Sequence, residues 1–217
     1  MFRGGSRYYA DVPVHLVEHP VVHDALAELR DVKTAPVAFR RAARRISGLL
    51  VAEALRDAPS VSRTVETPLG PAPSRVVEAD VVFVPVLRAG LGMLDAALDL
   101  VPNARVGHIG LQRDEATAVA SRYYSRLPPD LAGSYTVLLD PMLATGGSAA
   151  AGIDLLKASG ARGIRMVSIV AAPEGVAVLE SRHPDVHIYT PVIDRELNAR
   201  KFIVPGLGDF GDRLYGT

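Results

Sequence analysis

The chain has 217 residues, 48% of them hydrophobic, which is enough to bury a full core as a single α/β domain. Lys and Arg number 24, as do Asp and Glu, so no net field draws in nucleic acid or an anionic membrane, and any anion must be caught by a local site. The absence of cysteine excludes disulfides, thiolate nucleophiles and sulfur-ligated zinc or iron–sulfur clusters, which suits a reducing cytoplasm.

The opening "MFRGGSRYYADVPVH" has no signal-peptide apolar region. The longest strongly apolar run, 81–87, falls far short of the ~20 residues that span a bilayer, so we expect a cytoplasmic protein with no membrane association. Residues 1–35 form an N-terminal segment. Over 36–55, Phe39, Ala43, Ile46 and Leu50 recur at helical spacing while Arg40, Arg41, Arg44 and Arg45 gather opposite, predicting a surface helix. Those arginines read first as a solvated helix face, and second as a contact for a nucleotide effector or a partner subunit. The stretch 57–76 is rich in Pro, Ser and Thr and predicts a loop or a hairpin arm, used in packing or dimerisation.

Beyond the arm, short apolar runs end in turns and are followed by helical patterns: "VVFVPVL" before "RAGLGMLDAALDLV", "RVGHIGL" before "QRDE", "YTVLLD" before "PMLATGGSAAAGIDLLKASG", and "IRMVSIVAA" before "PEGVAVLESRH", with a further strand at "VHIYT". Continuous rather than alternating hydrophobicity implies strands covered on both faces, hence a parallel sheet flanked by helices. In such sheets ligands collect at the carboxyl ends of the strands. The unusual motifs lie there.

In "VLLDPMLATGGS", Asp140 closes a buried run, and Thr145, Gly146, Gly147 and Ser148 open a helix that Gly160 can terminate. Backbone N–H groups at a helix start lack internal partners and converge on an anion, while paired glycines let phosphate oxygens approach the backbone. A helix start attracts an anion by only ~0.3–2 kcal/mol, so the Thr145 and Ser148 hydroxyls are needed as added donors. The bland alternative is a glycine turn with an ordinary N-cap, and a P-loop is excluded because no lysine follows the glycines. Arg88 follows another apolar run and precedes Gly90 and Gly92, a setting in which a guanidinium fork and freed backbone amides can hold a diphosphate. A surface arginine at a strand end is the competing reading. The polar stretch 112–130, with Arg113, has the length of a lid or binding loop, or of a solvated connection.

Gly206, Gly208 and Gly211 in the tail match a dinucleotide-binding spacing, yet Pro205 precedes them and we expect the chain to end too soon for a following helix and second strand. The glycines read better as letting main chain approach a flat ligand edge-on. His15, His19 and His23 fall four apart, but Pro20 interrupts any helix that would gather them on a metal, and His183 and His187 straddle Pro184.

The acidic residue and Ala-Thr-Gly-Gly of "DPMLATGGS" resemble the 5-phosphoribosyl-1-pyrophosphate (PRPP) signature of type I phosphoribosyltransferases, in the version of the uracil phosphoribosyltransferase family. "LRAGLGM", "QRDE" and the tail resemble that family in the same order, over nearly all of 81–217. The resemblance implies a type I phosphoribosyltransferase-like parallel sheet flanked by helices, with an extended arm, a flexible hood over 112–130 and a base-recognition tail over 194–217. It implies that Pro141, Met142, Leu143, Ala144, Thr145, Gly146, Gly147 and Ser148 hold the 5-phosphate, that Asp140 faces the ribose hydroxyls, and that Arg88 and Arg113 hold the diphosphate. Ile203, Gly208, Asp209 and Phe210 would meet uracil largely through backbone groups, with Asp209 also facing PRPP, so Arg88, Arg113, Asp140 and Asp209 form the implied catalytic set. The implied reaction is uracil plus PRPP giving UMP and pyrophosphate, with Mg²⁺ carried mainly by PRPP. The family further implies a homodimer or higher homo-oligomer, and in some members activation by GTP.

Two departures stand out: Arg126 replaces a lysine after the tyrosine pair, and Lys201-Phe202 replaces the usual Gly-Tyr or Ala-Tyr, losing a hydroxyl. Two alternatives share the fold, a PRPP-binding RNA regulator of a pyrimidine operon and a catalytically silent effector-binding protein. The balanced charge disfavours the first.

Overall fold

The computed structural model describes residues 14–113 and 120–217, and within them the side chains of all but 112, 113, 120 and 121. A short strand β1 (Val14–Leu16) leads into helix α1 (Pro20–Arg30), which neither periodicity nor composition had signalled. His19 caps α1, its Nδ1 accepting the Val21 N–H at 3.1 Å, while His15 sits in β1. Helix α2 (Pro36–Ala54) follows with Phe39, Ala43, Ile46 and Leu50 buried and the four arginines exposed, as the 3.6-residue period requires. The Pro-rich stretch forms an antiparallel hairpin of β2 (Ser60–Thr67) and β3 (Gly70–Val77), turning through Pro68 and Leu69 into Gly70, whose φ is +137°.

The central sheet begins with β4 (Val81–Leu87), followed by α3 (Leu91–Leu100), β5 (Arg105–Val106) and β6 (His108–Arg113). No helix follows β6 among the described residues; the chain returns as β7 (Ala120–Arg126), antiparallel to β6. Then come β8 (Tyr135–Leu139), β9 (Met142–Leu143), α4 (Gly147–Ala158), β10 (Arg165–Val167), β11 (Val170–Ala171), α5 (Pro173–Arg182) and β12 (His187–Thr190). The tail holds β13 (Glu196–Leu197), β14 (Ile203–Val204) and a six-residue helix α6 (Phe210–Tyr215), so a short helix does follow Gly206 and Gly208, with Gly211 inside it.

The eight-stranded sheet runs β1-β12-β10-β8-β4-β6-β7, with β5 also on β4, and every pair except β6–β7 is parallel. Burial on both faces explains the unbroken hydrophobicity of β4 and β8. Phe83, Tyr135, Val137 and Leu139 face the layer containing α1, α2, α3 and α6, while Val82, Val84 and Leu138 face α4 and α5. After β4 the chain moves outward to β6 and β7; after β8 it moves the other way, to β10 and β12, and the N-terminal β1 closes that edge against β12. The reversal between β4 and β8 opens a crevice at their carboxyl ends, where Pro85 pairs with Leu139 and the next turns carry Arg88 and Asp140.

Candidate active site

Asp140 is the first residue past the wholly buried β8 and is itself buried. Its backbone is fixed on both sides: its N–H donates to the Val167 carbonyl at 3.2 Å, and the Ser168 hydroxyl donates to its carbonyl at 2.6 Å. Burial pushes the Asp140 carboxyl from 3.8 up to about 6, opposed by the Met142 N–H, which donates to Oδ1 at 3.2 Å. A carboxyl held this way favours a ligand that supplies hydroxyl donors, because such donors stabilise its charged form.

After Pro141, β9 pairs in parallel with β11, tying this loop to the sheet. Gly146 caps α4 with φ +77° and offers no side chain to the first-turn amides. A Cβ there would lie 2.8 Å from the Gly175 carbonyl and 2.9 Å from Val178 Cβ, so α5 packs against a backbone that only glycine can supply. Thr145 and Ser148 are half-buried around the helix start, and Gly160, with φ +91°, ends the helix two residues past Ala158.

Arg88 follows β4 across a cis Leu87–Arg88 peptide bond. The turn closes through the Gly90 N–H to the Val86 carbonyl at 2.8 Å, and a Cβ on Gly90 would meet Val86 backbone atoms at 2.7 Å. The Arg88 guanidinium is 63% exposed and lies 3.7 Å from Asp212 Oδ1. The Tyr215 hydroxyl donates to the Arg88 carbonyl at 3.3 Å. Arg113 ends β6, three residues beyond the Gly110 that pairs with Leu87; its side chain, and the part of the 112–130 stretch at 114–119, lie outside the described residues. Arg126 closes β7 and is exposed.

In the tail, Ile203 is buried in β14, Gly206 and Gly208 take φ +57° and +82°, and Asp209 caps α6, its Oδ1 accepting the Asp212 N–H at 2.9 Å. Phe210 buries its ring edge-on against Phe39, centroids 5.2 Å apart. Asn198 holds the preceding turn, its side-chain oxygen accepting the N–H groups of Arg200 and Phe202 at 2.9 and 3.0 Å, with Lys201 between them at φ +65°.

These segments meet. A cavity of about 310 Å³ is lined by Arg88, Asp140, Met142, Leu143, Ala144, Thr145, Gly146, Ser148 and Asp209, together with Ala89, Leu111 and others. A second, of about 190 Å³, is lined by Met142, Ala144, Arg200, Lys201, Phe202, Ile203, Gly208, Asp209 and Phe210. Met142, Ala144 and Asp209 belong to both walls, so the two cavities adjoin. Pro141 and Gly147 line neither, although both sit within the loop. Sequence reasoning missed Asp212 and Tyr215, whose contact with Arg88 depends on α6 packing against α2 and beside Gly92 at the start of α3, although "DFGDR" offered a second carboxylate beside Asp209. A third cavity, of about 600 Å³, is lined by Arg40, Arg41 and Arg44 of α2, Leu91 and Asp95 of α3, and Tyr215 of α6.

Among the described residues no three His, Cys, Asp or Glu side chains gather as a metal site, and no helix is long and apolar enough to cross a membrane.

The family model for uracil phosphoribosyltransferase matches residues 16–217. The chain is 49% identical over 205 residues to a uracil phosphoribosyltransferase of Dictyoglomus thermophilum, covering 94% of this chain and 99% of that protein. Its fold superposes on the AQ2163 protein from Aquifex aeolicus with a TM-score of 0.90 at 38% identity, covering 94% of this chain and 98% of the other. A more remote likeness, to an adenine phosphoribosyltransferase from Trypanosoma brucei, has a TM-score of 0.55 at 15% identity, covers 82% of this chain and 80% of that one, and speaks for the fold alone. With crevice, glycine-opened helix start and whole-length similarity in agreement, the chain belongs to the uracil phosphoribosyltransferase family.

Proposed function

We propose that the protein transfers the 5-phosphoribosyl group of PRPP to uracil, giving UMP and pyrophosphate in pyrimidine salvage. The observation that carries this reading is the sharing of Met142, Ala144 and Asp209 between a cavity suited to a sugar phosphate and one suited to a flat base. The 5-phosphate sits on the first-turn amides of α4 with the Thr145 and Ser148 hydroxyls, within the 141–148 loop, and Asp140 accepts from the ribose hydroxyls. Arg88 and Arg113 hold the diphosphate. As the bond from C1 to the diphosphate breaks and C1 bonds to uracil N1, charge leaves with the diphosphate, and preorganised cations there lower the barrier. No side chain is assigned as the base that takes the N1 proton.

The residues fit Mg²⁺ carried by the substrate. Asp140 and Asp209 place two carboxylates on one cavity wall without a protein cage, and Mg²⁺ is commonly held by one or two carboxylates plus substrate phosphates. Bound there, the ion would supply positive charge to the departing diphosphate.

The base is read by main chain at Ile203, Gly208, Asp209 and Phe210. At N3 and C4 uracil presents a donor beside an acceptor, whereas cytosine presents an acceptor beside a donor, so a fixed C=O and N–H pair matched to one is mismatched to the other. Sites that leave buried polar groups unpaired reject a ligand by roughly 10⁴-fold or more. Lys201 and Phe202 line the same cavity, and a pair supplied by main chain should tolerate their side chains.

We read residues 1–217 as one cytoplasmic phosphoribosyltransferase domain that works as a homodimer or higher homo-oligomer, with 112–130 as its hood. The arginine-lined cavity favours a GTP effector over a purely solvated face, because three cations border a recess of nucleotide size rather than a convex surface. Labelled PRPP with Mg²⁺ and, in turn, uracil, cytosine, xanthine, hypoxanthine and orotate tests the central reading. Uracil alone should yield a nucleotide, and a second series with GTP and with Arg41→Ala should show activation gained and lost. PRPP binding without pyrophosphate release from any base would favour a silent effector-binding protein, and a specific RNA gel shift would favour an operon regulator.

A further inference from the structure

Arg30 and Asp194 lie far apart in sequence, at the end of α1 and after β12, yet form a bidentate pair with N–O distances of 2.9 and 2.7 Å. The Asp194 side chain is 4% exposed, so this is a buried carboxylate. Both members of the pair also bond one glycine. The Gly206 N–H donates to Asp194 Oδ2 at 2.9 Å, and Arg30 Nη1 donates to the Gly206 carbonyl at 2.8 Å. Both backbone polar groups of Gly206 are thus held by a single ion pair.

The anchor extends in two directions. The Asp194 N–H donates to the Ala171 carbonyl at 2.8 Å, and Ala171 belongs to β11, the strand that pairs with β9 in the phosphate loop. The next residue of the tail, Leu207, gives its carbonyl to Arg213 Nη1 at 2.8 Å, and Arg213 Nη2 donates to the Asp31 carbonyl at 2.6 Å, so the end of α1 grips two consecutive tail residues. This linkage ties the tail to the phosphate loop without passing through either cavity.

A loop that reads its ligand through main chain can be no more selective than its peptide planes are fixed. Gly206 and Gly208 both occupy left-handed conformations, and glycine left to itself reaches many others. Rotation of a peptide plane between them would exchange an N–H for a C=O at one of the two reading positions, spoiling the match to uracil and removing half of the mismatch that rejects cytosine. Displacements of about 0.5 Å already degrade such a constellation.

We propose that Arg30 and Asp194 are positioning residues for base selectivity: by clamping Gly206 they hold the main chain at Gly208 and Asp209 in the one orientation that accepts a donor–acceptor edge. The proposal rests on the reading of the tail as the uracil site. It differs from a stability role, because it concerns the base and not PRPP.

The test uses the full-length protein as wild type, Arg30→Lys and Asp194→Asn, with initial rates at saturating PRPP against uracil and against cytosine, the KM for PRPP, and a melting curve for each. A lysine keeps the charge but cannot serve Asp194 and Gly206 with one fork. We expect the KM for uracil to rise at least 10-fold, the uracil-to-cytosine ratio of kcat/KM to fall at least 10-fold, and the KM for PRPP to stay within about 2-fold, with Arg30→Lys sufficient should Asp194→Asn fail to fold. Wild-type activity on uracil together with an unchanged uracil KM and an unchanged ratio in folded Arg30→Lys would overturn the proposal and leave the uracil reading standing. A wild type that makes no UMP would overturn both.

Discussion

The Arg88 guanidinium lies 3.7 Å from the Asp212 carboxylate, across the gap between the β4–α3 turn and the last helix. Both side chains are more than half exposed, so the attraction is screened and is worth no more than about 1 kcal/mol. Asp212 therefore competes weakly with an incoming diphosphate for the same cation. Asp212→Asn should lower the KM for PRPP by about 2- to 5-fold at low ionic strength, an effect that fades in salt. Arg88→Ala, by contrast, removes a charge-assisted contact to the departing group and should reduce kcat/KM by roughly 10²-fold or more. Steady-state kinetics in PRPP at two salt concentrations separates the two outcomes.

Asp140 should trade stability for chemistry. Its folded-state value of about 6 lies above the ordinary 3.8, so the folded protein holds a proton that the unfolded chain has released between those pH values. The stability supplied by the neutral carboxyl is complete below about pH 3.8 and is lost as pH rises through about 6; above that, the buried charge weakens the fold by on the order of 3 kcal/mol. Asp140→Asn should therefore melt higher than wild type at pH 7.5, with the difference vanishing towards pH 4, while its activity falls by roughly 10²-fold or more. In the wild type, kcat/KM for PRPP should decline as pH drops through about 6, since a neutral carboxyl accepts hydroxyl hydrogen bonds poorly. Melting curves and rate profiles across this range decide the point.

Gly146→Ala tests the phosphate cradle. A left-handed φ of +77° penalises an L-residue by about 1–2 kcal/mol. The new Cβ would also press on the Gly175 carbonyl and Val178 of α5, so the helix start must shift as well. We expect a lower melting temperature and a rise of at least about 10-fold in the KM for PRPP, because near-attack geometry tolerates little displacement. Gly133→Ala, where an added Cβ meets nothing within 4 Å, serves as the control and should change stability by no more than about 0.5 kcal/mol.

Phe210 distinguishes reading by backbone from stacking by side chain. Its ring is 1% exposed and packs on Phe39, so Phe210→Leu should lower stability by about 1–3 kcal/mol through imperfect filling of the core. The KM for uracil should move less than about 5-fold, since the N–H and C=O at this position are unaltered. A rise beyond 10-fold with an intact fold would mean that the ring itself meets the base.

Legibility followed locality. The unbroken apolar runs of β4 and β8, the amphipathic stripe of α2 and the glycine-opened start of α4 are short-range patterns, and each names its element without reference to the rest of the chain. Other elements carry no such pattern. β1 has three residues, β7 is polar with the side chains of 122–126 exposed, and α6 spans less than two turns, so partners in the sheet and in the core decide their conformation. For the same reason the sequence pattern suggests a polar loop over β7 and a helix from 112 onward, whereas Gln112 and Arg113 belong to β6 and pair antiparallel with β7.

By itself the sequence determined the chemistry on offer: the carboxylates at 140 and 209, the arginine at 88, and glycines where backbone must approach a ligand. Only the tertiary structure decided which of these meet. The reversal of strand order between β4 and β8 brings Arg88 and Asp140 to one crevice, and the clamp of Arg30 and Asp194 on Gly206 fixes the tail beside it. The physical reason is that a residue's reactivity resides in its own atoms, whereas proximity between residues 100 or more apart in the chain is a property of packing, which no local pattern encodes.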